Sequence, residues 1–315
     1  MFHTLPLLLL AGCVEPLSNA IFEEDADFLS VLPTEARNTV RFEAPGIDDD
    51  VDAPEGPLPV LVPDLYAYTR TVSGTVNDFI FQVLDWIDMI RAYPPTVRET
   101  DRRQWGPWPV GRMLDFDMEV EILREGFGVF EWEFRVRPAE GGDWIPYLSG
   151  VHYAGTTVAE GDGEFTADFS AIADLMGYDP RGSLVVDYDN RDGAAFLVEI
   201  LQFQADAQAS PFDASYWNRT DPTGSGDFEY LTWADVNGGG VSEALQVRSR
   251  WTPENALRSD ARIVEGDLGI SEFTASQCWD DATTLTYQAD SLDWFEAVGS
   301  ESACAFASAV LPEHL

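Results

Sequence analysis

The 315-residue chain contains no lysine: its 18 basic residues are all arginine, set against 56 acidic residues for a formal charge of −38. A charge of this size repels nucleic acid and anionic lipid headgroups, so neither is expected as a partner. It also predicts self-repulsion at low salt, relieved by screening or by bound cations, as in salt-tolerant proteins. Histidine is almost as scarce, with His3, His152 and His314 only, and His152 is the one within the expected fold. A lone strand histidine is far more often a hydrogen-bonded residue than a catalyst. The chain has no G-x-S-x-G, no H-E-x-x-H, no phosphate-binding glycine loop and no dinucleotide-binding glycine triad. Its carboxylates are too numerous for any pair to mark a glycosidase site. No apolar run approaches the ~20 residues of a membrane-spanning helix.

Cysteine is limited to Cys13, Cys278 and Cys304. The run Leu10-Ala11-Gly12-Cys13, closing the stretch Leu5 to Leu10, resembles the lipobox of bacterial lipoproteins, although the region before it carries only His3 as a basic residue. The resemblance implies a signal peptide over 1–12, a diacylglycerol anchor on Cys13, and residence at the outer membrane or cell surface. Val14 is not the aspartate that retains such proteins at the inner membrane. Setting Cys13 aside leaves Cys278 and Cys304 as an even pair, expected to form a disulfide in an oxidising compartment. A closed loop of about 25 residues would contribute roughly 3 kcal/mol through loop-closure entropy.

Residues 13–60 are rich in Pro and acid and show no sustained period, which predicts a tether reaching on the order of 40 Å. Within it Ile21, Phe22, Phe28 and Leu29 are candidates for local docking. From 64 to 93 the pattern turns helical: Val72, Val76, Phe79, Ile80, Val83, Ile87 and Ile90 recur at three- and four-residue spacing. Phe81, Leu84, Trp86 and Met89 widen that stripe, predicting a helix covered on most sides and stopped by Pro94-Pro95.

Beyond the loop around Trp105-Gly106-Pro107-Trp108 the period becomes two. Leu114 to Ile122 and Phe130 to Val136 read as an antiparallel hairpin, with acid on one strand able to face arginine on the other. Nine further runs at short spacing bring the expectation to about eleven strands with no alternating helices. The predicted fold is mainly β: one antiparallel curved sheet or barrel around a buried N-terminal helix, with a two-sheet sandwich and flanking helix as the alternative. The domain is expected to span 61–315.

One constellation carries potential metal chemistry. Asp187, Asp189, Asn190 and Asp192 offer alternating oxygen ligands before Gly193, in the manner of a short calcium loop. Arg191 interrupts the set, and a polar hairpin turn is the simpler reading; Asp235-Val236-Asn237-Gly238 reads as a turn too. Ten Trp and nineteen Phe supply either a packed core or the walls of a cavity for an apolar guest.

Ser249-Arg250-Trp251, Gly266-Asp267-Leu268 and Cys278-Trp279-Asp280 before Cys304 are similar to segments of uncharacterised lipoproteins of myxobacterial type. So are Tyr93-Pro94-Pro95-Thr96 and Trp105-Gly106-Pro107. A lipidated curved sheet embracing a helix also resembles the lipoprotein-carrier proteins of outer-membrane export, a likeness of architecture alone. Three readings follow. The first is a non-enzymatic lipoprotein enclosing an apolar ligand or lipid; the second is a surface-interaction lipoprotein with a filled core, whose acidic face meets cations or partners. A hydrolase with an unrecognised site comes last.

Overall fold

The computed structural model describes residues 20–42, 64–109, 116–176, 180–206, 208–234, 243–266 and 273–315. The signal segment with Cys13, most of the expected tether, and the turn at 235–238 lie outside these residues.

Alternating sequence builds one antiparallel sheet of fifteen strands. Its first half comprises β1 Val97–Glu99, β2 Arg102–Pro109, β3 Phe116–Gly126, β4 Val129–Pro138, β5 Ile145–Ala154, β6 Gly161–Asp168, β7 Arg181–Asp189 and β8 Ala194–Gln204. The second half comprises β9 Phe212–Thr220, β10 Gly226–Ala234, β11 Glu243–Trp251, β12 Leu257–Glu265, β13 Phe273–Trp279, β14 Leu285–Asp290 and β15 Val298–Gly299. Each strand pairs with its neighbours in sequence, and β1 and β15 form the two free edges. The sheet is therefore open, not a barrel, and has more strands than the eleven expected. The predicted β3–β4 hairpin forms, with Arg135 on Glu119 at 2.8 Å and Arg137 on Asp117 at 3.1 Å.

Helix α1 covers Ala20–Ser30, α2 Leu65–Arg91 and α3 Phe169–Met176. The carboxylate of Asp64 caps α2, accepting from the amides of Tyr66 and Ala67 at 3.1 and 3.2 Å. Its buried stripe runs through Leu65, Thr69, Val76, Ile80, Val83, Leu84, Ile87 and Ile90. Thr71, Thr75, Asp78, Gln82, Asp85 and Asp88 face solvent, so the helix lies on the sheet and is not enclosed by it. The expectation of cover on most sides fails because the added bulky residues Phe81 and Trp86 are only half-buried at the flanks.

α2 is fastened near both edges of the sheet. At its start the Leu65 amide donates to Gln277 on β13 (2.9 Å), and just past its end the Tyr93 carbonyl accepts from Trp105 on β2 (3.0 Å). That stretch of chain is about 42 Å long at ~1.5 Å per residue. Flat, β2 and β13 would stand about 53 Å apart at ~4.8 Å per strand. The helix with its two side-chain contacts thus spans nearly the width of the sheet, and the inward residues from Trp105 to Trp279 form one continuous core with it.

Residues 20–42, within the stretch expected as a tether, are folded onto this core. Phe28, Val31, Leu32 and Val40 are buried, and Phe28 meets Phe130 edge-on at 5.7 Å. Asp25 locks the segment down by accepting from Arg103 at 2.8 Å and Arg98 at 2.9 Å. Asn77 on α2 holds Val40 by both its amide and its carbonyl, at 2.9 and 3.1 Å.

Candidate functional site: a divided outer face

Strand alternation sends every second residue to the face away from α2. The pairing register aligns these outward residues into rows that cross the sheet. One row reads Leu123, Glu131, Val151, Glu164, Asp187, Leu197, Trp217, Glu229, Arg248, Asp260 and Ser276. A second reads Tyr153, Asp162, Asp189, Ala195, Arg219, Asp227, Arg250, Arg258 and Cys278. Along both rows the surroundings change abruptly near β9.

From β10 to β13 the outer face is covered by the chain's own C-terminal segment. Cys278 on β13 is bonded to Cys304 (S–S 2.05 Å), which brings the segment onto the sheet. Arginines then receive its carbonyls: Arg258 donates to Phe306 at 3.0 Å, Arg250 to Ser308 at 2.7 Å and Arg262 to Pro312 at 3.3 Å. Carboxylates receive its amides: Asp260 accepts from Val310 at 3.2 Å, and Glu229 from Glu313 and His314 at 3.0 and 2.8 Å. Glu229, Arg258 and Asp260 are fully buried beneath it. The segment ends with the His314 ring stacked on Trp217, centroids 4.0 Å apart.

From β3 to β8 the same face is bare. Two open concavities, of about 450 and 480 Å³, lie side by side on it and share Tyr153 and Glu164. The first is lined by Glu121, Glu131, Glu133 and Glu164 around Leu123 and Val151; the second adds Asp162, Asp187, Asp189, Leu197 and Trp217. Glu164 and Asp187 stand directly opposite each other across β6 and β7, as do Asp162 and Asp189. Like charges in register destabilise a sheet. Arg191 relieves the second pair, reaching Asp189 at 2.6 Å and Asp162 at 3.3 Å. This hydrogen bond holds the Asp189 carboxyl below the usual carboxylate range. Among the described residues Glu164 and Asp187 have no arginine within ion-pair distance.

The four residues read as a calcium loop thus take different roles. Asp187 and Asp189 lie on the outer face of β7, Asp189 is committed to Arg191, Asp192 is exposed in the turn, and the Asn190 amide donates to the Gly161 carbonyl at 2.8 Å. Among the described residues no group of three or more His, Cys, Asp or Glu side chains is placed to hold a metal ion. His152 is buried on the inner face, between the Tyr188 hydroxyl at 2.9 Å and the Val158 carbonyl at 2.8 Å. The carbonyl requires Nε2 to donate, so Nδ1 accepts from Tyr188. Burial lowers the His152 pKa, which fits a neutral ring with a structural role.

Comparison with known protein families, with curated proteins and with solved structures finds no match. The site therefore rests on its own geometry. Sequence reasoning missed the arginines that fix the C-terminal segment, though a signal existed. Arg250, Arg258 and Arg262 lie on the adjoining strands β11 and β12, in a chain where arginine is the only lasting cation.

Proposed function

We propose that this protein is a non-enzymatic surface-interaction lipoprotein, held at the outer membrane or cell surface by a lipid on Cys13. Its bare outer half-sheet binds an extended, arginine- or lysine-rich segment of a partner. The anchor rests on the lipobox resemblance. The binding role rests on one observation above the others: the opposed Glu164 and Asp187, with apolar Val151 and Leu197 on either side and Trp217 beyond.

That row alternates what a cationic chain requires. Carboxylates receive its charges, aliphatic side chains receive the stems of Lys or Arg, and Tyr153 in the neighbouring row offers a face for guanidinium stacking. The neighbouring half holds the chain's own residues 304–314 by charged side chains to their backbone, which supports the reading that this surface receives a peptide. The core supports this reading over an enclosed apolar guest, because Ile80, Val83, Leu84 and Ile87 of α2 pack with the inward side chains of the sheet.

Titration calorimetry of residues 14–315 with an extended Arg-rich peptide, a neutral peptide and an acidic peptide tests the proposal. Binding of the Arg-rich peptide alone, weakened by salt and by Glu164→Gln with Asp187→Asn, is the expected result. Equal affinity for the neutral peptide, or indifference to the double substitution, would refute it. Native mass spectrometry of the same protein separates the rival reading: a discrete apolar molecule leaving on denaturation would establish a carrier.

A further inference from the structure

A separate cavity of about 230 Å³ lies on the other side of the β7–β8 turn, lined by Arg37, Arg41, Asn190, Gly193, Thr220 and Asp221, among others. Three segments distant in sequence build it: the stretch following the short 3₁₀ turn Glu35–Arg37, the turn after β7, and the end of β9. We propose that it is a binding site for a small oxyanion, a phosphate or carboxylate group.

The first argument is charge. Arginine in this protein is heavily outnumbered by acid, and Arg91, Arg98, Arg102, Arg103, Arg135 and Arg137 all hold carboxylates. Arg37 and Arg41 do not. Their guanidinium groups donate to the main-chain carbonyls of Ala159 and Ala36, and neither forms an ion pair among the described residues. A guanidinium has five N–H groups, so each retains donors for a ligand.

The second argument is independent of charge. Thr220 is only 5% exposed, yet its hydroxyl has no hydrogen-bond partner, and the buried side-chain oxygen of Asn190 has none either. Leaving buried polar atoms unpaired is costly, and native interiors rarely do so without a bound group to complete them. The Thr220 hydroxyl can donate. The Asn190 side-chain amide, turned over, places its NH₂ where the unpaired oxygen lies. Two guanidinium groups, a hydroxyl and an amide make four donor groups on residues lining one small volume, the donor set of an oxyanion site.

Asp221 is the one acid on the wall, and its carboxylate is turned back into its own loop. It accepts from the Thr223 hydroxyl at 2.6 Å and from the amides of Thr223 and Ser225 at 2.8 and 3.2 Å. The Thr223 hydrogen bond holds its pKa below the ordinary carboxylate value, so it stays charged and spent locally.

The test uses thermal unfolding and calorimetry of residues 14–315 with inorganic phosphate, acetate and chloride at matched ionic strength. Saturable stabilisation by phosphate or acetate beyond that by chloride is expected, and the tighter of the two identifies the group. Arg37→Gln should weaken it about tenfold or more, the loss of one charge-assisted contact. Thr220→Val adds a readout that does not depend on the ligand: it should raise the melting temperature without anion, because an unpaired hydroxyl is removed, while abolishing the anion's increment. Should Arg37→Gln fail to fold, Arg41→Gln at the exposed rim replaces it. Identical increments for all three salts, or unchanged phosphate affinity in the variants, would overturn the proposal.

Discussion

Replacing Asp260 by asparagine probes whether the covered half of the outer face depends on its buried charges. Asp260 is fully buried and accepts from Arg258 Nε at 3.0 and 3.1 Å, Arg250 at 3.1 Å, Ser276 Oγ at 2.7 Å and the Val310 amide at 3.2 Å. Asparagine keeps the shape but removes the charge and points an NH₂ at groups that are themselves donors. Arg258, also fully buried, is left with the Phe306 carbonyl at 3.0 Å and, as its one carboxylate among the described residues, Glu301 at 2.8 Å, which is 46% exposed and screened by water. Orphaning one member of a buried ion pair costs about 3–5 kcal/mol. Since domains are stable by only ~5–15 kcal/mol, Asp260→Asn should remove roughly a fifth or more of the total. Urea unfolding under non-reducing conditions measures the loss, and limited proteolysis of residues 305–315 reports whether the segment still lies on the sheet. A loss below ~1 kcal/mol with the segment still protected would refute the reasoning, since the buried charges would then be dispensable.

His152 predicts an acid sensitivity of definite sign. Burial lowers its pKa from the ordinary 6.5, so the unfolded chain takes up the proton first; the stability it contributes is present above pH 6.5 and is lost as pH falls toward the folded value. NMR titration should place the ring below 6.5, and a value at or above it would contradict the neutral Tyr188–His152–Val158 chain. Replacing both Cys278 and Cys304 by serine should cost roughly 3 kcal/mol in urea unfolding, from a loop of 26-residue separation, and should expose the C-terminal segment to protease. Gly226→Ala should destabilise by ~1–3 kcal/mol or more, because its Cβ would sit 1.9 Å from Cζ2 of the buried Trp251 ring. Equal melting temperatures for that variant and the parent would show that the ring moves freely aside.

Local pattern carried the helix and the longer strands. α2 is legible because its apolar positions recur at helical spacing and Pro94-Pro95 marks its end. The β3–β4 hairpin is legible from strict alternation. The shortfall in strands has specific causes. β1 and β15 are three and two residues long, too short to show a period. β2 contains Gly106-Pro107, whose missing amide argues against a strand and which forms a register shift between Trp105 and Trp108. β13 places small or polar Ala275 and Gln277 on its inner face, where alternation would show large apolar residues. β6 begins at Gly161 and Gly163, which read as a turn; they are glycine because the His152 and Tyr188 rings lie over them. The divided face was hidden for a different reason. It depends on register, which aligns single residues of many strands, and on a C-terminal segment held by its backbone groups, which leave no side-chain pattern.

A sheet whose strands all pair with their sequence neighbours can be laid down strand by strand in sequence order. Helix α2 is made before the strands it supports, so the inner face acquires its cover from the start. The outer face of β10–β13 has no such provision. Arg258, Asp260 and Glu229 await residues 304–315, which follow β15 in the chain. Until they dock, the molecule carries an open seam of charge and a free Cys278 thiol. Docking of this one segment is written on the surface of the molecule itself, where a protease or a thiol reagent can read it.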